Sequence, residues 1–351
     1  MVKAFYQSIH YEALRERKFR RGPLGGAISF SDRHPAARDS ILDYFNETSI
    51  ERVGVLHGEY LLLHSGVLLV DRKGVMTGAC ISLEDRWVAQ FMATESARPE
   101  TTAHIRELLD NWDRAPAAHN LPVLCDPYSN NYYHFSLEMI PRVRYFAPGG
   151  HTSLIMSKNS LARPFQRDLV VHTLGAMTCL PLDIAMRVYD PILAHDTMSN
   201  EGIFWLRHAS GIAARPGNRR IYVRRAARGT RSDVGGGISE SAGFQALLRD
   251  FGFETVDFGN GENGVAAQIA MLDGVGLILS AHGAALTNLA YLNPKLTVIE
   301  VIGPRTPRAC FMHIAAALGF EYHGIFSNAY DDRLDIVVDL DELHEALRAR
   351  M

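Results

Sequence analysis

A chain of 351 residues exceeds the roughly 250 to 300 residues at which one hydrophobic core stops growing, so two domains with a cleft between them are expected. Its 47% apolar content is that of a globular protein, and no window approaches the roughly 18 to 20 uninterrupted apolar residues of a membrane span. A formal net charge of -3 argues against a general nucleic-acid binder, whose affinity would rest on neutralising phosphates.

The start, MVKAFYQSIHYEALRERKFRRG, lacks the positive, apolar, small-residue order of a secretory signal. A cytoplasmic address is expected, with at most peripheral contact to the inner membrane through the basic residues. Residues 1–50 mix charge, Gly, Pro and scattered aromatics without a period and read as loosely ordered or as an arm over the first domain. From Arg52 to Met76 short apolar runs alternate with HG, HSG and DRKG turns, the pattern of a β-hairpin or meander. LPVL at 121–124 reads as a strand, and Asn130 to Tyr145 as a helix that Pro141 should end or kink. A strand near 152–156 and helices near 161–174 and 201–210 complete a mixed α/β first domain over 51–205.

The second half is more regular. Strands at 220–223, 253–257, 276–280, 297–301 and 321–325 alternate with helices at 239–250, 264–273, 283–291 and 308–317, which predicts a parallel, doubly wound, Rossmann-like domain over 206–330. A last amphipathic helix near 340–349, in a segment 331–351, is expected to pack back toward the first domain. Cys80, Cys125, Cys179 and Cys310 lie far apart without a CxxC pair and read as buried free thiols.

In GLILSAHGAALTNLAY an apolar strand ends at Ser280 and a tight turn leads into a helix that carries Asn288. Ligands of open parallel sheets bind at the carboxyl ends of strands, and the small Gly283, Ala284 and Ala285 let a phosphate approach the N–H groups and positive dipole end of that helix. His282, at the mouth of the turn, can donate to a phosphate oxygen; tight helix-on-strand packing with an incidental histidine is the plainer alternative. Glu300, at the end of TVIE, sits where acidic side chains accept ribose hydroxyls, or is simply a solvated strand-end carboxylate. Arg215, Arg219, Arg220, Arg224, Arg225, Arg228 and Arg231 fall in one stretch without an acidic residue. Guanidinium forks match phosphate oxygens, so an anionic ligand is expected, although arginine is abundant throughout the chain.

In DPYSNNYYHFSLEMIPRVRYF, helical spacing puts Asn131, His134 and Glu138 on one face. His134 with Glu138 can form a proton-handling pair; the alternatives are an internally satisfied polar stripe, or a metal pair that lacks a third ligand of matching spacing. No GxGxxG follows a strand, and neither GxxxxGK[ST] nor GxSxG occurs. Asp339-Leu340-Asp341 resembles a metal-binding DxD but stands where a helix N-cap belongs.

With these segments side by side, the chain resembles glycosyltransferase family 61, the DUF563-type proteins. NNYYHFSLEMIPRVRYF is similar to the family's Asn-Tyr-x-His-x-x-x-Asp/Glu-x-x-Pro-Arg segment, and IYVRRAARGTR to its Ile-Tyr-Ile-Ser-Arg-Arg segment. GFETVDF and VGLILSAHGAALTNLAYLNPKLTVIEVIGP are similar to its glycine-histidine turn and the strand that follows. The resemblance implies a GT-B architecture of two facing Rossmann-like domains and an inverting transfer from a nucleotide sugar, with a UDP-linked donor expected, without a catalytic metal or other cofactor. Carried over, Arg225 and Arg228 contact the diphosphate, His282 and the Gly283–Ala285 amides close the phosphate site, and Asn131, His134 and Glu138 face the sugar and acceptor. Arg224 stands where a Ser is common and Ala285 where Gly is frequent. The expected partners are a nucleotide sugar and a glycan or glycolipid acceptor of a bacterial surface polysaccharide such as capsule or lipopolysaccharide. A sugar-nucleotide epimerase of GT-B-like fold, or a noncatalytic nucleotide- or glycan-binding module, are the rival readings.

Overall fold

The structure, a computed structural model, describes residues 12–20, 27–30, 39, 48–63, 68–72, 76–78, 107–124, 126, 128–195, 198–225, 236–259, 262–304 and 309–351. The chain divides into two compact units, Met1–Phe19 with Ser49–Trp205, and Arg20–Thr48 with Leu206–Met351. Both mix helices with parallel strands, an α/β architecture.

The second unit is built on a six-stranded sheet in the order Glu254–Asp257, Arg219–Arg224, Val275–Ala281, Thr297–Ile302, Glu321–Phe326, Ile28–Phe30, with every neighbouring pair parallel. Strands covered on both faces read as continuous apolar runs, as in VGLILSA and TVIEVI. On one face Leu277, Leu279, Ile299, Val301 and Ile325 pack against Phe244, Leu247 and Leu248 of the helix Ala242–Asp250. Ser241 caps that helix by accepting from the Phe244 amide. Asp339 caps the last helix, Leu340–Arg348, by accepting from the Asp341 and Glu342 amides, which gives the DxD-like run a structural role. The apolar stripe of this helix, Leu343, Ala346 and Leu347, is buried in the same core as Phe244 and Leu247. This stripe therefore packs within its own unit, where the sequence had suggested packing toward the first domain.

The first unit holds two sheets. One has the order Glu12–Arg20, Thr48–Val55, Ile192–His195, Pro122–Leu124, Ser153–Ser157, Thr178–Leu182; its last four strands are mutually parallel, and Thr48–Val55 runs antiparallel to Ile192–His195. The other is the expected meander, Glu59–Leu63, Leu68–Val70 and Met76–Gly78, extended by Ala185–Tyr189 and Ala117–His119. Most of the described residues within 1–50 lie in strands and not in a loosely ordered arm: Glu12–Arg20 and Thr48–Val55 are neighbouring strands of the first unit's sheet, and Ile28–Phe30 forms the outer edge of the second unit's. That edge strand is tied down by Arg350, which donates to Ser29 Oγ at 2.8 Å, contacts His323 Nδ1 at 3.0 Å and pairs with Glu321. Cys179 and Cys310 are free thiols, and burial pushes the Cys179 thiol up to about 11; Cys80 and Cys125 lie outside the described residues.

Candidate active site

Strand order reverses once in the second unit's sheet. Arg219–Arg224 lies centrally, with the next strand in sequence, Glu254–Asp257, on one side and Val275–Ala281 on the other, and further strands are added outward from there. The crevice outside the carboxyl ends of two such diverging strands is where open α/β sheets hold ligands. Arg225 follows one of these ends and His282–Ala285 the other, with Val223 and Ser280 in register between them. Arg225 Nη1 donates to the His282 carbonyl at 3.2 Å. A side-chain carbon added at Gly283 would stand 3.5 to 3.7 Å from the same guanidinium, so the glycine leaves that face of the arginine uncovered. Ala284–Tyr291 forms a 3-10 helix where an α-helix was expected, and only the stretch from His282 to Ala285 is partly exposed, the rest being buried. Its first amide groups have no partner within the helix, which is the physical basis of anion binding at such ends.

His282 is held from behind. Its Nδ1 lies 2.5 Å from Glu300 Oε1, and the Tyr322 hydroxyl donates to Glu300 Oε2 at 2.7 Å. Burial and the Glu300 carboxylate push the Tyr322 hydroxyl well above its ordinary value, so it stays a proton donor. The Phe311 ring covers one side of the imidazole at 5.0 Å between centroids. Glu300 is not the ribose-contacting strand end that the sequence suggested. The strand runs on to Ile302, the carboxylate has no exposed surface, and both its oxygens are engaged. Asn288 is likewise displaced from the donor side: it is buried and donates to Gln268, which in turn donates to the Asn263 carbonyl.

Most of the arginine-rich stretch is committed within the protein. Arg215 pairs with Asp273, Arg219 with Glu254 and Arg224 with Glu240, while Arg220 donates to the Phe251 carbonyl. Arg225 alone among the described arginines of this stretch stands at the glycine turn; Arg228 and Arg231 lie outside the described residues. The acidic partners come from later segments, which is why the stretch looked unbalanced when read locally.

In the first unit Asn131 Oδ1 accepts from the Tyr133 amide, so this side chain caps the start of a helical segment, a different task from the acceptor contact expected of it. The segment opens as a π-helix, His134–Met139, and tightens to 3-10 over Ile140–Tyr145. Pro141 lacks an N–H, and its ring would collide with the carbonyl four residues back; a wide turn ahead of it relieves both problems. Phe135, Ser136, Leu137 and Met139 are buried, whereas the side chains of His134 and Glu138 are each 24% exposed, with Nδ1 2.6 Å from Oε2. The Tyr128 and Tyr133 rings flank the imidazole, each 5.1 Å away. Beneath the pair lies a buried ion pair, Arg142 to Asp126 at 3.0 Å. Burial raises the Asp126 carboxyl above its usual value; Arg142 opposes this and Glu138 adds to it, so the two carboxylates are electrostatically coupled. Among the described residues, no group of three or more His, Cys, Asp or Glu is placed to share a metal ion.

Comparison with known proteins bears on both sites. A family model described as Glycosyltransferase 61 matches residues 132–299. Over that segment the chain is similar to the glycosyltransferases of family 61. A β-1,2-xylosyltransferase of Arabidopsis thaliana is 32% identical over 92 residues, which are 24% of this chain and 17% of that protein. The matched segment contains His134, Glu138, Arg225 and the His282 turn, and stops one residue short of Glu300. Asp126, Arg142 and Tyr322 escaped the sequence reading. Arg142 was visible only as the arginine of the Pro-Arg segment, and nothing short of the strand register connects Tyr322 with Glu300. No helix among the described residues is long and apolar enough to cross a membrane.

Proposed function

We propose that the chain is an inverting glycosyltransferase that moves a hexosyl or pentosyl group from a nucleotide sugar, UDP-linked, to a hydroxyl of a glycan acceptor in surface-polysaccharide synthesis. The reading includes a GT-B-like division of labour, with the donor held by the second unit. The carrying observation is the guanidinium of Arg225 set against Gly283 at the one reversal point of the parallel sheet. A diphosphate there meets a guanidinium fork, the first amides of the Ala284–Tyr291 helix and the His282 imidazole. These fixed donors stabilise the charge that appears on the departing diphosphate, the task a metal ion performs in other sugar transferases.

On the acceptor side the His134–Glu138 pair takes the hydroxyl proton, with Glu138 as the base or as the orienter of His134. The acceptor oxygen then bonds to the anomeric carbon from the face opposite the diphosphate, and the electron pair of the breaking C–O bond leaves on the diphosphate. Calorimetry with UDP, GDP and CMP, followed by turnover with the corresponding sugars including a xylosyl donor, tests the reading; anomeric analysis of the product reports the stereochemistry. Activity is expected to survive EDTA. Loss of turnover in EDTA with recovery on adding manganese would refute the metal-free mechanism, and conversion of donor without any acceptor would favour an epimerase.

A further inference from the structure

Glu300 has the chemistry of a general base and the placement of something else. Ser280, Glu300 and Gly324 are in register across three parallel strands, so the alternation of side chains brings His282 and Tyr322, each two residues along, onto the face where Glu300 points. The result is a line of three side chains, Tyr322 to Glu300 to His282, that runs from the core to the mouth of the glycine turn. The carboxylate cannot reach solvent, and a buried carboxylate is tolerated when both its oxygens are engaged. His282 remains 16% exposed, and among the described residues its Nε2 takes no protein partner.

We infer that Glu300 and Tyr322 are positioning residues which hold the Nδ1–H of His282 inward and thereby present to the donor diphosphate the Nε2–H of its imidazolium form, the form with a donor on both ring nitrogens. An imidazole on a single flexible side chain would otherwise rotate about its two torsions, so that Nδ1, Nε2 or a ring carbon faced the ligand. Fixing Nδ1 on an immobile acceptor removes that freedom before the ligand arrives. Tyr322 does for the carboxylate what the carboxylate does for the histidine: its hydroxyl takes up the second oxygen and stops the group turning. The inference rests on the donor-site reading above and adds to it the device that orients one of its donors.

The test uses the full chain and UDP as the probe. Tyr322→Phe removes one oxygen and is expected to weaken UDP binding about threefold, and Glu300→Gln about tenfold, with thermal unfolding measured on each variant. In a His282→Ala background both effects should vanish, because positioning residues act only through the imidazole. Equal losses with and without His282 would overturn the inference and leave the two residues as structural supports. A second measurement needs no ligand: in protein labelled with 15N-histidine, the His282 resonance, assigned by its absence from His282→Asn, should show a protonated Nδ1. An unprotonated Nδ1 overturns the arrangement. Failure of the wild type to bind any nucleotide would instead sink the donor-site reading, with the histidine resonance still deciding the hydrogen bond.

Discussion

The two units each contain a histidine with its Nδ1 against a glutamate, at 2.6 Å in His134–Glu138 and 2.5 Å in His282–Glu300, and the resemblance ends there. In the first pair both side chains are equally exposed at 24%; in the second the carboxylate is sealed and only the imidazole reaches the surface. An open carboxylate can exchange protons with a substrate. A sealed one, with a tyrosine on its other oxygen, can only orient the group in front of it. The same two residue types therefore point to a base in one unit and to an anion-binding donor in the other, and burial makes the difference.

The comparison is most exposed to failure at Glu138. Glu138→Gln keeps size and hydrogen bonding while removing the basic oxygen, and kcat is expected to fall about 10²- to 10⁴-fold with donor affinity nearly unchanged. A kcat within a few-fold of wild type would make the first pair structural as well. Arg225→Ala should act the other way round, weakening UDP binding about 10- to 100-fold as a charge-assisted contact is lost, with the acceptor KM little altered. Gly283→Val places carbon against the Arg225 guanidinium and is expected to raise the donor KM several-fold. Its melting temperature should stay close to wild type, since the site is partly exposed and the added Cβ meets the guanidinium only at ordinary contact distance. A large drop in melting temperature would show the turn to be packing and not a ligand site.

A third histidine sharpens the contrast by lacking a carboxylate. His323 faces Ser29 and Arg350. Burial, with the Arg350 charge, holds its imidazole down to about 4 from 6.5. The folded protein keeps this group neutral while the unfolded chain takes up a proton below about pH 6.5, so its contribution is intact above that pH and is lost as pH falls toward 4. His323→Gln is expected to flatten the loss of stability between those limits by a modest amount, as read from urea midpoints across the range. An unchanged pH profile would mean that the histidine is not held neutral.

Much of the second unit was legible because parallel strands buried on both faces announce themselves as apolar runs separated by helix-length periods, and every strand from Arg219 to Phe326 falls where that pattern puts it. The first unit hid more. Thr178–Leu182, Ala185–Tyr189 and Ile192–His195 are short strands joined by tight turns, with Asp190 at a positive φ of 47, and their pairing partners lie far away in sequence. The glycine turn and the His134–Glu138 face could be read from spacing because they are local. The burial of Glu300, the capping task of Asn131 and the ion pairs of three arginines depend on tertiary neighbours. No linear pattern carries that information.

The outermost strand of the second unit's sheet, Ile28–Phe30, belongs to a different stretch of chain from the other five. A protease cut or an expression boundary that isolates 206–351 would strip it away and bare the backbone of Glu321–Phe326. Such an unpaired parallel edge invites copies to join edge to edge, so the excised unit should aggregate more readily than the intact protein. Anyone dissecting the second unit for crystallisation or screening would do better to graft residues 27–30 back beside that edge.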